Sequence, residues 1–83
     1  MTESFQHYLH DVFRELLERA RDAKTRAKAA GPSSSSSAAA FEHGRALAYY
    51  EVVSHLVNQL DAFGIERRSV ELEVDLDVDS ELL

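Results

Sequence analysis

Four histidines and a run of alternating carboxylates are the side chains of this sequence best suited to chemistry. His7 and Asp11, and likewise Glu51 and His55, stand four positions apart, which sets them side by side on a helix, as metal ligation or proton transfer would require. The helical wheel weakens that reading. His7 and His10 fall opposite Val12 and Leu16, and His43 sits outside the apolar stripe of its own helix, so these three read as solvated. His55 borders that stripe beside Gln59, where it could hydrogen-bond across an interface. A di-metal site inside a helical bundle uses inward Glu residues and Glu-x-x-His spacing, and neither helix carries that motif. The serines of 33–37 have no neighbouring base to activate them. With no cysteine, disulfides and thiolate zinc sites are excluded.

Asp75, Asp77 and Asp79 match the first three ligand positions of an EF-hand loop, but the match stops there. Ser80 stands where the loop needs glycine, and the bidentate glutamate would fall beyond Leu83. No catalytic, cofactor-binding or metal site is therefore assigned.

Arg19, Arg21, Lys24, Arg26 and Lys28 form one basic stretch, and His10, Arg14, Arg21, Lys24 and Lys28 share one side of the helix. That side could touch phosphates. Against nucleic acid as a partner, no aromatic is interleaved with the bases, and Glu15, Glu18 and Asp22 dilute the field. The net charge of −6 is also uneven: residues 1–65 hold eight acids and seven bases, whereas 66–83 hold seven acids against Arg67 and Arg68. The acidity belongs to the C-terminal segment.

The elements that must position these groups follow from apolar spacing. From about residue 4 to 30, Phe5, Tyr8, Leu9, Val12, Phe13, Leu16, Leu17, Ala20, Ala23 and Ala27 recur every three or four residues, as on an amphipathic helix. Gly31-Pro32 ends it, and the Ser-rich stretch 31–37 reads as a mobile connection that supplies N-caps. A second helix spans about 37–63 and closes at Gly64 with a left-handed cap. Near-equal helices joined by a short connection predict an antiparallel hairpin over 1–65. Arg19 and Arg45 lie at the edges of the stripes, where their stems would pack and their head groups reach Glu15, Asp22 or Glu42. Gly44 suggests a close helix approach.

The second helix is apolar over more than one neighbour could cover. Phe41, Ala48, Val52, Leu56 and Phe63 form one stripe, and Tyr49, Tyr50, Val53, Val57 and Leu60 widen it. The expected fold is all-α: an antiparallel hairpin that pairs with a second copy, or a higher oligomer, as a four-helix bundle. Tyr49, Tyr50, Val53, Val57 and Leu60 are the expected interface. In the acidic tail over 66–83, Val70, Leu72, Val74, Leu76 and Val78 alternate with Glu71, Glu73, Asp75, Asp77 and Asp79. This spacing predicts an extended strand or tail with one apolar face, which stays mobile, pairs with its copy in a second chain, or joins a basic protein surface or sheet edge.

The first ten residues hold no basic region followed by an apolar core, and no apolar run approaches the ~20 residues of a membrane span. The expectation is a cytoplasmic, noncatalytic interaction or regulatory protein that needs no cofactor. The alternatives are a nucleic-acid accessory protein using the basic side of the first helix, and a small enzyme with a site at the dimer seam.

Overall fold

The computed structural model describes residues 3–73 and 75–83. Helix α1 spans Glu3–Ala30 and α2 spans Ser37–Ala62; a 3₁₀ turn over Arg67–Val70 and a short helix α3 over Val78–Leu82 complete the chain. The fold is all-helical among the described residues, with the two long helices packed against each other in a body 47 Å long.

The caps explain where α2 begins and ends. Ser36 stands outside the helix with extended backbone, and its hydroxyl accepts a hydrogen bond from the Ala39 amide at 3.0 Å, satisfying an otherwise orphaned donor. At the other end Gly64 has φ +69°, and the Ile65 amide donates back to the Leu60 carbonyl at 2.9 Å while Gly64 N–H donates to Asp61 O. This is the Schellman arrangement that a glycine after the last turn allows.

The serine-rich connection is a hydrogen-bonded turn where a mobile linker was expected. The Pro32 carbonyl accepts from the Ser35 amide at 2.9 Å and from its hydroxyl at 2.7 Å. His43, read as solvated, is half-buried, with Nε2 2.7 Å from the Gly31 carbonyl. It ties the start of α2 to the end of α1.

Small residues meet near the turn. Ala23, Ala27 and Ala46 pack together with little exposure, side chains small enough to let helix axes approach closely. Away from the turn Leu17, Ala20, Val53, Val57 and Leu60 make a larger core, shared with Val70, Leu72, Leu76 and Leu82. Gly44 is not part of the close approach: no atom lies within 4 Å of where its Cβ would stand.

The C-terminal segment departs from the expected strand. Val70 ends the 3₁₀ turn, Glu71 takes a left-handed conformation at φ +58°, and Val78 begins α3, capped by the Asp77 carboxylate accepting from Ser80 N–H at 3.3 Å. The physical reason is backbone satisfaction. An isolated strand leaves its amides and carbonyls unpaired, whereas here Ser69, Glu71, Leu72 and Leu76 donate locally to Glu66, Arg68, Arg67 and Glu73 carbonyls. The apolar residues Val70, Leu72, Leu76 and Leu82 still share one side, buried against the hairpin as a cap, while Glu71, Glu73, Asp75 and Asp77 remain exposed. Val74 lies outside the described residues.

Candidate interaction surface

The cap occupies the surface that α2 was expected to offer a second copy. Val53, Val57 and Leu60 are 5 %, 3 % and 7 % exposed within one subunit. They belong to the cluster built with Val70, Leu72 and Leu76, so the expected interface is filled by the chain itself. Tyr50 sits at the rim of this contact, its hydroxyl donating to Asp79 Oδ1 at 2.7 Å. That bond holds its phenol above the ordinary tyrosine value. Tyr49 packs at the edge of both core clusters, half-buried beneath the Arg45 guanidinium, whose carbon lies 5.1 Å from the ring centre.

Electrostatics fasten the cap to the basic side of α1. Arg21 donates to Glu81 at 2.8 Å and to Glu73 at 3.4 Å, and Lys24 donates to the Leu83 carbonyl. Partial burial opposes the charge on Arg21, but the bonded Glu81 and the nearby Glu73 outweigh it and raise its pKa. His10, read as solvated, is half-buried, with Nε2 2.7 Å from the Ser69 carbonyl and Nδ1 3.5 Å from Glu71. Arg14 pairs with Asp11, and Arg26 pairs with Asp22. Arg67 reaches the Leu76 carbonyl at 2.9 Å and Asp61 at 3.1 Å. A polar cleft of about 420 Å³ runs between α2 and the cap, past Ser54, Asn58, Arg67 and Asp79. Two of its charged groups are bonded to neighbours in this way.

The opposite face of the hairpin is uncovered. Val12 and Leu16 on α1 and Ala48 and Val52 on α2 lie roughly half a turn from His10, Arg21, Tyr50 and Val57, the residues that meet the cap. Three adjoining depressions run along this face. One of about 310 Å³ at the end away from the turn, between the start of α1 and the end of α2, is walled by Phe5, Leu9, Phe13, Leu56, Phe63 and Ile65. A central one of about 180 Å³ lies between Leu16, Ala48, Tyr49 and Val52. The third, of about 260 Å³, adds Val12, Glu15 and Arg19 at the edge. Phe63 is 77 % exposed, Phe41 67 % and Val52 47 %. Exposed apolar side chains gathered on one face make it the candidate contact surface.

Few polar groups interrupt the groove, and several lack partners. Glu15 and Arg19 form no ion pair among the described residues. Glu42 Oε2 and Arg45 Nη1 are shielded from solvent without a hydrogen-bond partner, so the reach of Arg45 to Glu42 expected from the sequence is not made. His55 is exposed and bonds neither Glu51 nor Gln59. Among the described residues, no three His, Asp or Glu side chains converge as metal ligands, and no helix is long and apolar enough to cross a membrane.

No family model matches the chain, and neither does any curated protein or solved structure.

Proposed function

We propose that the chain is a noncatalytic, self-associating interaction protein of the cytoplasm. Two hairpins pack groove to groove as a four-helix bundle, with the acidic caps facing outward. The observation that carries this reading is the uncovered apolar face contributed by both long helices, on which Phe41, Val52 and Phe63 stand exposed while the chain's own cap covers the other side. A footprint one helix long, about 40 Å, and two helices wide, about 20 Å, is roughly 800 Å² per copy, the size of a standard stable interface. Residues 1–65 are nearly neutral in charge, with the acid excess concentrated in 66–83, so two copies can meet on this face without strong repulsion.

Capture of a basic protein surface is proposed for the outward acids Glu71 and Asp75, Glu73 being held by Arg21. Strand addition is not part of the proposal, because Val70, Leu72 and Leu76 are already buried. Nucleic acid fits less well, since His10, Arg21 and Lys24 are engaged by the cap.

Val52→Asp tests the reading. The position is half exposed in one subunit, so the charge is tolerated in a monomer but would be buried unpaired at the seam. Size-exclusion chromatography with light scattering is expected to give a dimer for the unmodified chain and a helical monomer for the variant. A monomeric unmodified chain, or a variant that still dimerises, refutes it.

A further inference from the structure

Resting on that self-association, we infer that the two copies pair antiparallel about a two-fold axis crossing α2 at residues 50–51, with Phe41 of each seated in the terminal depression of the other. The groove is asymmetric along its length. At the turn end Phe41 protrudes, 67 % exposed; at the far end lies the empty hollow of about 310 Å³ walled by Phe5, Leu56, Phe63 and Ile65. A self-complementary contact must match knob to hollow within one patch. Two isologous arrangements bring groove to groove. With the axis along the hairpin, the turn ends coincide, Phe41 meets the end of the partner's α1, and the hollow stays open. With the axis across the hairpin, α2 lies antiparallel on its symmetry mate and each knob fills a hollow.

The register follows from the sequence positions. Gln59 and Leu60 line the hollow, and Leu60 is 19 residues from Phe41 on α2, about 28 Å along the helix. Seating Phe41 there puts the axis midway, at 50–51. Ala48 then faces Val52 of the second copy, and these small side chains allow the close approach that a central crossing needs. On α1, Arg19 comes within reach of Glu15 of the second copy.

The absence of cysteine makes the register directly testable. Ala48→Cys and Val52→Cys proteins are mixed in equal amounts and oxidised. The 48–52 heterodisulfide is expected in several-fold excess over either homodisulfide, and Phe41→Ala is expected to weaken the dimer at least about a hundredfold, two Phe contacts being lost. Leu47→Ala, exposed off the groove, is expected to change neither. A dimer by light scattering that gives mainly homodisulfides, or no covalent dimer, overturns the register while leaving self-association standing. A monomer in the same measurement overturns both.

Discussion

Replacing Leu76 with alanine separates a C-terminal cap that is part of the fold from a tail that merely accompanies it. Leu76 is 5 % exposed and packs in the cluster of Leu17, Val57, Leu60, Val70 and Leu72. Removing its branched end forfeits about 2–2.5 kcal/mol of transfer free energy at about 0.8 kcal/mol per methylene. Core Leu→Ala changes cost about 2–5 kcal/mol once the residual cavity is included. Leu76 also borders the open cleft beside Arg67, into which neighbours can relax, so the lower half of that range, about 2–3 kcal/mol, is expected. An 83-residue domain has only about 4–12 kcal/mol in total, and a loss of this size lowers Tm by about 10–20 °C. The assay is thermal unfolding followed by far-ultraviolet circular dichroism, at one protein concentration because dimerisation adds a mass-action contribution. Leu47→Ala, at a site 49 % exposed, is the control and is expected to fall within about 0.5 kcal/mol of the parent. A Leu76→Ala midpoint indistinguishable from that control would refute the intrachain cap.

Three further outcomes follow from particular residues. Gly64→Ala forces an L side chain to φ +69° and is expected to cost about 1 kcal/mol, read as a lower urea midpoint with unchanged slope. The Asp77 carboxyl is held below the usual carboxylate range, chiefly by the Ser80 hydroxyl and then by the Ser80 amide. Its contribution is therefore present above the unfolded value and disappears as pH falls through the lower folded one. In carbon-detected NMR titration the Asp77 midpoint should fall below the usual carboxylate range, and Ser80→Ala should move it upward. Arg21→Gln removes two partly exposed ion pairs, 41 % exposed on the arginine side, so a loss of less than about 1 kcal/mol is expected, shrinking further in high salt.

The helices were legible because their signals are local and redundant. Three- and four-residue apolar spacing, Gly31-Pro32, the serine caps and Gly64 all point to the same boundaries, and Ser36 and Gly64 act as their chemistry demands. The width of the apolar arc on α2 exceeds what α1 covers, and the chain's own C-terminal cap packs on part of the remainder. Which surface faces what was not legible. Val53, Val57 and Leu60 look like Val52 and Leu56 in composition, and only the path of residues 66–83 decides which set the chain buries itself. That path was misread because alternation at Val70, Leu72 and Leu76 specifies a shared side without requiring an extended backbone. A 3₁₀ turn, a left-handed Glu71 and a five-residue helix deliver the same side to the core. One clue was present: Arg21 on α1 complements Glu73 and Glu81, but pairing across more than fifty residues becomes visible only once the segment folds back. The bonds of His10 to Ser69 and His43 to Gly31 likewise depend on backbone carbonyls, which no side-chain pattern announces.

Sedimentation equilibrium of the unmodified chain, from about one to a hundred micromolar, bears most directly on whether the uncovered groove is a self-association surface. The expected result is a mass of twice 9.3 kDa that falls toward the single-chain value only on dilution. A well-folded species of 9.3 kDa throughout that range contradicts the account.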